Sequence, residues 1–202
     1  MENESRDKLN ELLKTLAGID YIDPQDIPNI DLYMDQVLTF LDQKLGTVQK
    51  ATEEKAMTKT MINNYTKNQI LPPPEKKKYS RDHMLDLIFI YYLKNFLSMK
   101  DIKKIMDPIN EKYFGAQKGL NIYEIYSQLV GLESNMSRDL IKDVIKKYNL
   151  SRGAFQDQEG EDQRQLQDFT FISLLSFDVF IKKMMIELFI EEREEKESET
   201  QE

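Results

Sequence analysis

A chain of 202 residues with 40% hydrophobic content can bury a core in one or two subdomains. It has no cysteine, which excludes disulfide scaffolds, zinc–thiolate sites and iron–sulfur clusters. Its net charge of −8 is unevenly spread. From Lys55 to Lys104 eleven Lys/Arg stand against four Asp/Glu, a local +7 that leaves −15 for the remainder.

No apolar run follows Met1, so a signal peptide is not expected and the expected location is cytoplasmic. An amphipathic helix is predicted over Glu4–Leu16, with Leu9, Leu12, Leu13 and Leu16 on one face and Gly18 ending it. Asp23-Pro24 to Pro28-Asn29 reads as a linker. Asp31 is expected to cap a helix carrying Leu32, Met34, Val37, Leu38, Leu41 and Leu45. Gly46–Met57 is polar and weakly helical, with a turn or two around Thr52–Ala56.

Thr58 is a good N-cap, and the helix that follows runs to Asn68. At 100° per residue Met61, Ile62 and Tyr65 fall on one side, while Thr60, Asn63, Asn64 and Lys67 share the other. Asn can bond bidentately to adenine, and Thr and Lys suit base edges or phosphates. Leu71-Pro72-Pro73-Pro74 cannot continue a helix. Glu75–Tyr79 is too short for more than a tight hairpin, whose tip would carry Lys76, Lys77 and Lys78 into solvent. Ser80 caps the next helix, with Asp82 complementing its dipole. Helix, short basic excursion, helix is the order of a winged helix-turn-helix, and the basic island is the charge footprint of a surface that meets phosphate.

On these residues the segment Thr58–Met106 resembles the DNA-binding head of the mercury-resistance regulator (MerR) superfamily. The resemblance rests on Thr58, Ile62, Tyr65, Lys67, Ile70-Leu71-Pro72-Pro73, Tyr79-Ser80, Phe89-Ile90, and Ser98-Met99 with Ile102. Asn63 and Asn64 stand where that pattern has an arginine and a tyrosine. Over about Asp26–Pro108 the chain is also similar to a bacterial family called domain of unknown function eighteen thirty-six, in its DIPNIDLYMDQV opening and its LPPPEKKKYS wing. The MerR resemblance implies that Thr60, Asn63, Asn64 and Lys67 face the major groove of double-stranded DNA. Lys76, Lys77, Lys78 and Arg81 would then engage phosphates.

After Pro108 the sequence predicts a turn at Gly115–Gly119, helices over Ile122–Leu132 and Arg138–Tyr148, and a flexible acidic loop over Ser151–Gln163. A long helix over Gln165–Arg193 follows, then a solvated charge run. No strand is expected outside the wing. Phe169–Ile181 is the longest apolar stretch, broken by Asp178 and stopped by Lys182-Lys183, well short of the roughly 20 residues of a membrane span. Its apolar residues run nearly all round the helix, which implies central burial or two partners. Phe177, Phe180 and Met184 are the expected homodimer contact.

Catalytic chemistry is scarce. His83 is the only histidine and is expected at the surface or in a cap rather than as a base. Phosphate-binding, dinucleotide and nucleophile-elbow motifs do not occur. Glu159–Asp162 lacks the alternating oxygen ligands of a calcium loop. No enzyme activity, cofactor or metal is expected, and the sequence names no effector. The expected fold is mostly all-α: an N-terminal helical arm (1–25), a MerR-like winged helix-turn-helix (26–108), a C-terminal helical bundle (109–192) and an acidic tail (193–202). The expected function is a DNA-binding transcriptional regulator. The alternative is a helical protein-interaction module on a winged-helix scaffold that does not bind DNA.

Overall fold

The computed structural model of the protein describes residues 9–11, 13–14, 21–45 and 57–201. The chain is mostly helical, with a single two-stranded sheet among the described residues. It divides into two compact units, Met1–Ser134 and Asn135–Glu202.

In the first unit a 3-10 turn (Pro24–Asp26) is capped by Asp23, whose carboxylate accepts from the Gln25 amide at 2.8 Å. β1 (Leu32–Tyr33) leads directly into α1 (Met34–Lys44). The expected helix start at Asp31 therefore gives way to a strand. Leu32 and Tyr33 alternate inward and outward, and Leu32 pairs with Tyr79, Tyr33 with Lys78. α1 buries Val37 and Leu41 and packs across this strand pair. Lys44 at its end holds Asp26 at 2.7 Å.

α2 (Lys59–Lys67) starts at Thr58, whose hydroxyl accepts from the Met61 amide at 3.2 Å. It ends in a reversal in which the Ile70 and Gln69 amides donate back to the Tyr65 and Thr66 carbonyls. Gln69 takes the left-handed conformation there, φ 58°. After the prolines comes β2 (Lys78–Tyr79), then α3 (Arg81–Leu93).

α3 is the core. Met84, Leu85, Leu87, Ile88 and Ile90 are 0% exposed, and His83, Asp86 and Tyr91 are also buried. Around it pack β2 and α4 (Met99–Tyr113). Rings of Tyr21, Tyr92, Phe89 and Tyr126 interlock beside it, and the Tyr126 hydroxyl donates to the Ile22 carbonyl at 2.7 Å. α4 runs through Pro108 and continues for another turn. Ile102 and Met106 bury against the core and the packing outweighs the lost hydrogen bond.

α5 (Ile122–Arg152) is continuous where two helices are predicted, because the intervening Ser and Asn residues weaken a helix without breaking it. α6 (Gly160–Gln201) begins earlier and ends later than expected, so the terminal charge run is helical. In the second unit the turn between them is shorter than the predicted loop. Buried Gln167 stitches it, donating to the Arg152 and Ala154 carbonyls at 3.0 and 3.1 Å. Phe171 stacks edge-on against Tyr148 at 5.4 Å, Lys147 bridges Asp143 and Asp178, and Arg152 pairs with Asp168. The predicted helix Glu4–Leu16 lies partly, and Gly46–Ala56 wholly, outside the described residues.

Candidate nucleic-acid interface

Two elements of the first unit present the polar residues singled out by the sequence. On α2, Ile62 and Tyr65 are buried, and Thr60, Asn63, Asn64 and Lys67 are exposed. The helix is only nine residues long, so its orientation depends on what grips it from below. Tyr65, Ile70 and Leu71 supply that grip by burial, and the Lys103 ammonium donates to the Gln69 carbonyl at 3.2 Å. Lys59, in the first turn, is exposed beside Thr60 and adds a cation that periodicity alone does not single out.

The second element is the basic hairpin. Glu75 and Lys78 close a four-residue turn, with the Lys78 amide donating to the Glu75 carbonyl at 2.8 Å. Both central residues have positive φ, 48° at Lys76 and 65° at Lys77. Left-handed backbone at both central positions is the mark of a type I′ hairpin turn, which normally selects Asn and Gly. A lysine there costs about 1–2 kcal/mol per residue. Both lysine side chains are exposed at this tip.

Lys78 and Arg81 are placed differently. Lys78 lies in β2, half-buried, its ammonium 5.5 Å from the centre of the Tyr33 ring. Arg81 is committed inside the unit. Its guanidinium stacks 3.5 Å over Tyr123 and donates to the Pro24 carbonyl at 3.0 Å, and its Nε is buried. The exposed Tyr33 beside the basic hairpin was not legible as part of this region, because the sequence pattern assigned it to a helix; the Leu32–Tyr33 alternation is its only signal.

His83 takes the cap position that the sequence allowed, but buried rather than at the surface. It closes the first turn of α3 by accepting the Ser80 amide on Nδ1 at 3.0 Å, with the Ser80 hydroxyl 2.8 Å away. A ring that accepts at Nδ1 carries its neutral-form proton on Nε2. Burial pushes its pKa down, against the smaller opposing pull of the Pro73 and Pro72 carbonyls. Its ring lies edge-on to Tyr79 at 5.5 Å and to Phe114 at 4.8 Å, which locks β2 to α3. Asp82 accepts the Gly115 amide at 2.7 Å, where a left-handed backbone (φ 70°) suits glycine.

Among the described residues no group of three or more His, Asp or Glu is arranged to hold a metal ion, and no helix is long and apolar enough to cross a membrane. The profile of a family described as a domain of unknown function (DUF1836) matches residues 22–129, more than half of the chain and all within the first unit. Neither the curated proteins nor the solved structures contain a significant match.

Proposed function

For this chain, which belongs to the DUF1836 family, we propose a role as a double-stranded-DNA-binding transcriptional regulator built on a MerR-like winged helix-turn-helix. In this reading α2 enters the major groove, with Thr60, Asn63, Asn64 and Lys67 toward base edges and phosphates. Lys76 and Lys77 at the hairpin tip meet the backbone alongside. Lys78 and Arg81 position the wing and α3 rather than touching nucleic acid.

The hairpin tip is what carries the reading. Two exposed lysines occupy backbone positions that glycine and asparagine would occupy more cheaply. Strain of this kind persists where the side chains serve something other than stability. The order β1–α1, α2, β2 wing, α3, α4 also has the sequence of elements that such a head needs, with the wing strand tied back to β1. The local +7 of Lys55–Lys104 supplies the attraction that an otherwise acidic chain lacks.

The test is a duplex-binding titration across salt. With Lys67, Lys76 and Lys77 each meeting one phosphate, log K falls against log[salt] with a slope of about −3 for one copy, and about −5 for two copies bound together. Alanine at Lys76 and Lys77 weakens every sequence alike, whereas Asn63→Ala relaxes preference at one base pair, by about 1–3 kcal/mol on the best site. No retention on any duplex at about 50 mM salt, where non-specific binding is strongest, overturns the assignment.

A further inference from the structure

The second unit is a helical hairpin with a bare side. α6 turns Phe171, Leu174, Leu175 and Asp178 toward α5, where Phe171 meets Tyr148 and Asp178 meets Lys147. On the far side of the same helix lie Phe169, Ser173, Phe177, Phe180, Met184 and Leu188, spaced four, four, three, four and four residues apart. At 100° per residue they fall within roughly 100° of arc, a continuous seam. None of it is covered: Phe177 is 63% exposed, Phe180 59% and Leu188 52%. Phe177 and Phe180 already lie beside one another, ring centres 6.5 Å apart.

The amount of apolar surface decides what this seam is for. Ten large apolar side chains of α6 are exposed, five on the seam and five round the rest of the helix; together they present about 1,000 Å² if each shows a third to two-thirds of a ~150–200 Å² surface, and the seam itself holds about half of that. The largest patch on an ordinary monomer is roughly 300–600 Å², and each partner in a stable complex buries about 800 Å². A two-helix hairpin with one open side is also half of a four-helix bundle, which a second hairpin completes.

We propose that α6 is the self-association surface of the protein, and that two copies pair their α6 seams antiparallel about a two-fold axis near Phe180–Ile181. The second copy is the occupant because the seam complements itself. In that register Phe177 meets the partner copy's Met184, Ser173 meets its Leu188, and the two Phe180 rings lie at the centre. Charge fixes the direction. A parallel pairing would set Lys183, Glu187 and Glu191 at the heights of their own copies, and like charges across a seam oppose association. The antiparallel one moves each Glu187 thirteen residues along the helix from its twin, about 20 Å at 1.5 Å per residue. The inference is independent of DNA binding and is tested without DNA.

Sedimentation of the purified full chain at tens of micromolar gives a species of twice the 23.9 kDa chain mass. Phe180→Glu raises the dissociation constant at least a hundredfold while the far-ultraviolet dichroism stays unchanged. Because the chain contains no cysteine, introduced thiols report alone. A mixture of the Ser173→Cys and Leu188→Cys proteins forms a mixed disulfide on oxidation, and Ser173→Cys by itself forms none. A monomer at these concentrations, or a dimer indifferent to Phe180→Glu, overturns the proposal. A Ser173→Cys self-disulfide in the dimer overturns the antiparallel register.

Discussion

α3 and α6 are both apolar nearly all round, and the protein treats them in opposite ways. α3 has six side chains without any exposure, five of them apolar, and a ring of neighbours that includes β2 and α4. α6 is richer in phenylalanine but leaves Phe169, Phe177, Phe180 and Phe189 mostly in solvent. Composition therefore does not decide which helix is the core of a unit. The number of elements available to wrap it does. The first unit supplies β2, α4 and a ring cluster around α3, whereas among the described residues of the second unit the neighbour of α6 is α5.

The largest expected effect breaks the first half of this comparison. Leu87→Ala empties a site with no exposed surface, and removing a buried leucine costs about 2–5 kcal/mol. Urea unfolding of the full chain reads it as a lower midpoint with unchanged slope. Phe177→Ala, on the exposed helix, shifts the same transition by no more than about 0.5 kcal/mol under conditions dilute enough to keep the chain monomeric. Equal costs at the two positions would erase the distinction between the helices.

α3 also holds a buried group that a core would not choose. Both Asp86 oxygens are buried without a donor, beside Asn110, whose own Oδ1 is likewise buried and unpaired. Burial raises the Asp86 carboxyl well above the ordinary range, against a weaker opposing pull from the Asn110 side chain. A protonated Asp86 can donate to Asn110 Oδ1 and satisfy both residues at once. Because the folded-state pKa is raised, the contribution of this carboxyl is full below its unfolded value near 3.9 and is lost as pH rises through the folded one. Asp86→Asn, which carries a permanent donor, is expected to stabilise the protein at neutral pH by on the order of 1–3 kcal/mol. The difference should vanish toward pH 4. Thermal unfolding across pH 4–8 measures it, and a difference independent of pH would mean that Asp86 is ionised in the fold.

Much of the first unit was legible before any coordinates. Thr58 caps, Ile62 and Tyr65 point in, and Thr60, Asn63, Asn64 and Lys67 point out, because 3.6-residue periodicity in a short helix leaves little choice. What sequence could not show is what lies across from a side chain. Leu32 and Tyr33 form a strand because Lys78 and Tyr79 are there to pair with them. Pro108 sits inside a helix whose preceding turns pack on the core through Ile102 and Met106. Arg81 looks like a free cation until Tyr123 and the Pro24 carbonyl come to it from distant parts of the chain. His83, likewise, is buried by Tyr79 and Phe114 rather than exposed. The all-round apolar pattern of α6 left central burial and two partners equally open, and it takes the structure to show Phe171 and Asp178 against α5 with Phe177 and Phe180 exposed.

The smallest expected effect separates stability from the proposed function at the basic hairpin. Lys76 and Lys77 both hold left-handed backbone in the turn closed by Glu75 and Lys78. Asn tolerates that region better than lysine, and glycine enters it without a Cβ clash. Asn-Gly is also the pair that this turn type selects. Replacing Lys76-Lys77 by Asn-Gly is therefore expected to stabilise the first unit by about 1 kcal/mol, a rise of a few degrees in Tm by calorimetry. The replacement also removes two positive charges from the tip. If the lysines are there for phosphate, the more stable protein binds duplex DNA more weakly and its salt slope is shallower by about 2. A variant with a higher Tm and undiminished DNA affinity would take the wing out of the interface. A variant with no gain in Tm would show that the left-handed lysines carry no strain.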